Sequence, residues 1–119
     1  MDRKILEKRL VTFSTDVLRF CRDCEFDSLT HHLLKQIVRS SSSTALNYGE
    51  AQSAESRADF AHKLSIVLKE LRETYMNLTL IEQAGMGIDN RAIERLLLEN
   101  NELIVIFQKS VNTLRKVGS

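Results

Sequence analysis

The chain has no proline, no tryptophan and only four glycines in 119 residues. Sandwiches and barrels need turns every few positions, and turns draw on glycine and proline, so an all-β fold is excluded. The glycine-rich strand-to-helix turns of a doubly wound α/β fold are missing too. Neither sign of charge dominates: 17 Lys and Arg stand against 16 Asp and Glu, a net charge of +1. A general basic coat for nucleic acid is therefore excluded, although a local patch is not. No apolar run approaches the roughly 20 residues of a membrane-spanning helix. The longest, Leu103 to Phe107, is five residues. The charged stretch Met1 to Arg9 lacks the apolar segment of a secretion signal. Two cysteines do not make a disulfide framework. The expected setting is soluble, reducing and cytoplasmic.

What is present is helical periodicity. Hydrophobic residues make up 43% of the chain, enough for one core, so residues 1–119 read as a single all-α domain. From about Asp2 to Cys24, Leu6, Leu10, Phe13, Val17, Phe20 or Cys21, and Cys24 recur three and four apart. A second helix opens after Asp27 or Ser28 and runs to about Ala54, with Leu33, Ile37, Ser41, Thr44, Tyr48 and Ala51 on one face. The pattern passes through Ser40 to Ser43, so this serine run reads as a low-volume helix face rather than a linker. Ser56-Arg57-Ala58-Asp59 has the form of a capping box. Phe60, Leu64, Val67, Leu71, Thr74, Leu78 and Ile81 follow in period, and Gly85 and Gly87 close that helix. The fourth helix starts at Asp89 or Asn90 and carries Ile93, Leu96, Leu97, Leu103, Ile104, Phe107, Val111 and Leu114. Leu98, Val105 and Ile106 project to other sides. An amphipathic helix of a monomer needs one apolar stripe. This one is apolar nearly all round, so it is either central or meets another subunit. Long helices with short connections give antiparallel neighbours, hence an up-down-up-down four-helix bundle.

The stretch Gln36-Ile37-Val38-Arg39, the small run Ser40 to Ala45, Asn47-Tyr48-Gly49-Glu50-Ala51, then Ser53, Ser56, Asp59-Phe60, Lys63-Leu64-Ser65 and Leu68 to Thr74 is distinctive as a combination. It resembles the bacterial four-helix-bundle family of 23S rRNA intervening sequence proteins. The match covers about Leu33 to Ala84, with helices of suitable length on either side. Glu25-Phe26 stands where the family commonly has a proline. The resemblance implies a left-handed bundle and a ring-like homopentamer. It also implies kinship with the accessory proteins of diversity-generating retroelements, which use basic surfaces for nucleic acid and reverse transcriptase. The family name records a gene location and not an activity.

Four constellations are candidates for function. If the chain turns at Ala54-Glu55, Arg39 faces Glu70, Asn47 faces His62, and Glu50 faces Asp59 and Lys63. A partly buried Arg39–Glu70 pair is expected, either as a polar-ligand site or, more plainly, as a register-fixing pair. Cys21-Arg22-Asp23-Cys24 is a C-x-x-C near His31 and His32, without a second ligand pair for zinc. It also sits at a helix C-terminus, where thiolates are not favoured. The plainer reading is small core residues, with no metal or cofactor. Arg3, Lys4, Lys8 and Arg9 at the start and Lys109, Arg115 and Lys116 at the end are expected to gather at one end of the bundle. There they form either a phosphate-binding patch or an ordinary solvated surface. Leu98, Val105 and Ile106 are the candidate subunit interface. No P-loop, nucleophile elbow or metalloprotease motif is present, and His62 has no nucleophile in a motif with it. The expected function is a non-enzymatic oligomeric interaction protein, with an RNA-binding protein as the alternative.

Overall fold

A computed structural model describes residues 2–24, 27–85 and 89–118. It contains four helices, α1 (Arg3–Asp23), α2 (Ser28–Ala51), α3 (Arg57–Ala84) and α4 (Asn90–Gly118), and no strand among the described residues. Each helix packs on its chain neighbours and α4 closes back on α1, while among the described residues the diagonal pairs meet only through side chains across the core and at the bundle end. Partners run in opposite directions. Along α2, Arg39, Ser40 and Glu50 meet Glu70, Thr74 and Lys63 of α3. The up-down-up-down bundle read from the pattern is the observed one, 46 Å along its long axis.

Local chemistry sets the helix ends. Asp2 Oδ1 accepts the Lys4 amide at α1, and Ser56 Oγ accepts the Asp59 amide at α3. The capping box is displaced by one residue on its return side, since Asp59 Oδ2 accepts from the Glu55 amide. At Gly85, φ is +60°, the left-handed turn that glycine enters without a Cβ penalty. Asp89 caps α4 through the Arg91 amide. Gly87, read as a second helix stop, and Glu25-Phe26 lie outside the described residues.

The core follows the periodic positions almost one for one. Leu10, Phe13, Val17, Ile37, Val67, Leu71, Leu78, Ile81, Ile93, Leu103 and Phe107 are sealed from solvent. Tyr48 meets Phe107 edge-on with ring centroids 5.5 Å apart. Cys24, Leu33, Phe60, Leu97, Ile104 and Leu114 are only half-buried against the core, and two positions are instructive. Leu34, not Leu33, is the core residue at the start of α2, because Ile37 and Ser41 fix the face three and seven residues on. Asn100 fills a fully buried position of α4 and donates from Nδ2 to the Leu71 carbonyl at 3.0 Å.

The serine run is helix throughout. Ser40 and Ser41 are fully buried, and their hydroxyls are satisfied. Ser40 Oγ lies 2.8 Å from Thr74 Oγ1 of α3, while Ser14 Oγ of α1 donates to the Ser41 carbonyl at 2.7 Å. Small side chains let three helices approach here, and hydrogen bonds keep the buried hydroxyls from being destabilising.

Candidate functional site

The Arg39–Glu70 pair forms. Arg39 Nη1 lies 3.3 Å from Glu70 Oε2, and Arg39 Nη2 reaches Glu73 Oε1 at 2.5 Å. Glu70 is buried, while more than half of the Arg39 side chain is exposed. Burial pushes the Glu70 carboxyl above its usual range, and neighbouring Glu73 adds to this against the pull of Arg39. Glu73 moves the other way, held down chiefly by its hydrogen bond to Arg39. Glu73 was not foreseen. It stands three residues after Glu70 on the same helix face, which is the signal that would have found it.

Asn47 and Glu50 do not join this cluster. Asn47 Nδ2 donates within its own helix, to the Ser43 carbonyl and hydroxyl, rather than facing His62. Glu50 takes a 2.7 Å bond from Lys63, as the turn geometry predicts. The four residues therefore divide into an α2–α3 clamp, a local helix bond and a second α2–α3 bridge. None of them converges on a shared ligand position.

The terminal basic residues differ in their surroundings. Arg9 is turned along the α1–α4 seam, where Nε lies 3.1 Å from Glu99 Oε2 and Nη2 lies 3.0 Å from Glu102 Oε2. These carboxylates hold the guanidinium pKa above its ordinary value, the Glu99 hydrogen bond most of all. Arg3 sits over the Phe60 ring, 5.2 Å from its centroid. Arg115 lines a groove with Lys69 and Arg72 of α3. Lys116 has an interaction of its own. That leaves Lys4, Lys8 and Lys109 exposed and outside any ion pair among the described residues.

The candidate interface residues separate. Leu98 is 70% exposed and Val105 47% exposed, on the outward side of α4. Ile106 is half-buried against the core, because its side of α4 is the one that carries Glu99 and Glu102 to α1. Apolar exposure is also wider than α4 alone. Ile5, Val11 and Leu18 on α1, Leu46 on α2, and Met76 and Leu80 on α3 are exposed as well. Periodicity hides these residues, because an apolar residue one position off the core stripe looks like part of a wider stripe.

Both thiols are free. Burial, with a smaller push from Cys24, raises Cys21 to about 12, and burial also raises Cys24. Neither is an activated thiolate at neutral pH. Cys24 borders a cleft of about 560 Å³ between the C-terminal half of α1 and the start of α4, floored by Phe13, Phe20 and Leu96 and edged by charges of both signs. Among the described residues, no three His, Cys, Asp or Glu side chains are grouped as a metal site would require. No helix of the described residues is long and apolar enough to cross a membrane.

With that geometry in place, comparison with known proteins is decisive on kinship. Residues 5–109 match the model of the 23S rRNA-intervening sequence proteins. The chain belongs to that family. A solved structure superposes with a TM-score of 0.82 at 27% sequence identity, covering 94% of this chain and 99% of the other. It is a crystal structure of a protein of unknown function from the S23 ribosomal protein family of Bacteroides thetaiotaomicron. No curated protein matches the chain. The resemblance seen between Leu33 and Ala84 thus extends over nearly the whole bundle of this 23S rRNA-intervening sequence family member.

Proposed function

We propose that the chain is a non-enzymatic subunit of a homo-oligomer, a ring of five by the family resemblance, that acts as an interaction scaffold. The observation carrying this reading is the outward exposure of Leu98 and Val105 on α4. Covering what is left exposed would contribute on the order of 1–2 kcal/mol for Leu98 and about 1 kcal/mol for Val105, and a helix of a monomer has no use for a second apolar side. Light scattering after size exclusion tests it. The wild type should run as a multiple of its 13.6 kDa chain mass. Leu98→Asp combined with Val105→Asp should keep its helicity and fall to a single chain. A double variant of unchanged mass sinks the interface.

A second reading, binding to RNA, is favoured by Lys4, Lys8 and Lys109, which are exposed and outside any ion pair among the described residues. The chain has no tryptophan and two tyrosines, so bound nucleic acid would dominate its ultraviolet spectrum. An excess of absorbance at 260 nm that is lost at high salt would support this reading. Binding that survives Lys4→Gln, Lys8→Gln and Lys109→Gln together would remove those lysines from it.

A further inference from the structure

We infer that the groove of about 260 Å³ between α3 and α4, lined by Ser65, Leu68, Lys69, Arg72, Val111 and Arg115, holds the sugar–phosphate backbone of a nucleic-acid strand. This rests on the second reading above, that the chain binds RNA, and gives that binding a place separate from Lys4, Lys8 and Lys109.

Charge singles the groove out. Three cations line it and no carboxylate does. Lys69, Arg72 and Arg115 are exposed, and none enters an ion pair among the described residues. Arg72 Nη2 donates to Gln108 Oε1 of α4, a neutral partner that holds the guanidinium without cancelling its charge. The chain around the groove is free of acids as well. Neither Phe60 to Lys69 nor Leu103 to Ser119 contains an Asp or Glu. Glu70 and Glu73 follow on α3, but Arg39 of α2 bonds to both. Lys69 acts on Glu73 only as the least of the influences there. A net charge of +1 over the whole chain thus conceals a locally unbalanced surface. Like charges gathered on one surface repel, so they work against folding until an anion lies among them.

Spacing selects the anion. Arg72 pairs with Gln108, and α3 and α4 run in opposite directions. Arg115, seven residues beyond Gln108, therefore stands level with Ser65, seven before Arg72. With Lys69 between these levels, the cations extend over roughly 10.5 Å of helix. A single phosphate group is too short to meet all three. One strand of a nucleic-acid helix carries a charge about every 3.4 Å, or about three over this length. An extended acidic peptide presents one side only at every second residue, roughly 6.6 Å apart, and would leave a cation unmet. No aromatic ring lines the groove, so bases have nothing to stack on. Contact with phosphates alone positions a strand without reading its sequence.

The test titrates the whole chain into a fluorescent oligo-uridine. The wild type should bind, with affinity falling as salt rises. Lys69→Gln, Arg72→Gln and Arg115→Gln together should weaken binding about tenfold or more and flatten the salt slope by about 2, since each single-strand phosphate contact contributes about 0.7. A control triple of Arg22→Gln, Lys35→Gln and Arg91→Gln removes the same charge from exposed positions at the other end of the bundle and should bind nearly as the wild type does. Ser65→Glu places a carboxylate in the groove while keeping every cation, and it should weaken binding too. Circular dichroism confirms that the variants are helical, and Ser65→Glu carries the test if the groove triple is not. A groove variant that binds like the wild type overturns the inference and leaves the RNA reading to Lys4, Lys8 and Lys109. A control triple that loses as much overturns it as well, because binding then follows net charge alone. Displacement of the oligo-uridine by polyglutamate at equal charge concentration assigns the groove to acidic peptides and overturns the phosphate backbone as its occupant. A wild type that binds no oligo-uridine at low salt overturns the RNA reading, and the inference falls with it.

Discussion

The bundle closes in two different ways along its two most contrasting seams. Between α2 and α3 the helices pack most closely, over buried Ser40 and Thr74, and the Arg39–Glu70–Glu73 clamp lies at the edge. Between α1 and α4 contact is sparsest, Arg9 reaches across to Glu99 and Glu102, and a cleft opens toward the far end. The first seam joins neighbours in sequence across a short connection. The second joins the two ends of the chain. Small residues set the distance at one, and long side chains bridge it at the other.

The contrast is broken most sharply by adding bulk. Ser40→Leu forces extra methylenes between α2 and α3 and removes the bond to Thr74. It should lower unfolding free energy by about 2–4 kcal/mol, the overpacking loss plus an unmade hydrogen bond. The same side chain at Ala92, on the wall of the cleft, has room to settle, and Ala92→Leu should be neutral or stabilising by up to about 1 kcal/mol. Urea unfolding of both variants measures the difference. Equal losses would mean that the two seams are packed alike.

Removing the arginines gives a smaller effect in the same direction. Arg39→Ala leaves a buried carboxylate without its cation, whereas Arg9→Ala frees two carboxylates that water can reach. With Arg39 itself largely exposed, screening holds its loss to about 1 kcal/mol; the loss for Arg9 should be a few tenths, because Glu99 and Glu102 regain water where Glu70 does not. Unfolding midpoints in low and high salt would rank them, and a larger loss for Arg9→Ala would reverse the comparison.

The subtlest effect is on pH dependence. Glu70 is raised above its usual 4.5, so the folded state holds that proton more tightly than the unfolded chain does. Its contribution favours folding below 4.5 and is lost as pH climbs through the raised value. Glu73 is lowered, so its contribution is present above 4.5 and lost as pH falls below. Glu70→Gln removes the first and leaves in place the Arg39 hydrogen bond that chiefly sets the second. Relative to wild type, this variant should gain stability between pH 4 and 7, measured by urea midpoints at both. A constant difference would mean that Glu70 titrates as it does in the unfolded chain.

These seams also explain what could be read from the residues beforehand. Arg39 and Glu70 were legible because a short turn fixes the register of α2 on α3. Arg9 and Glu99 are ninety residues apart, and no local turn relates them, so Arg9 was assigned to a basic cluster while its carboxylate partners went unseen. Core positions were legible wherever a full stripe existed, as on α3. Leu33 and Leu34 were not separable, since adjacent leucines serve a helical period equally well until a neighbour chooses. Val11, Leu18 and Leu46 escaped because exposure is decided by which helix lies alongside, and periodicity carries no record of that.

Asn100 has a consequence that the leucines around it cannot supply. Its Nδ2 finds the Leu71 carbonyl, while its Oδ1 is buried without a partner among the described residues. If α4 slid one heptad past α3, Phe107 or Ile93 would take its level, and the apolar repeat would still interlock. The amide would then meet dry side chains with both of its polar ends unanswered. That single residue makes the slipped bundles poor decoys, so the landscape narrows to one alignment of the two longest helices by penalising its rivals rather than by strengthening the native packing.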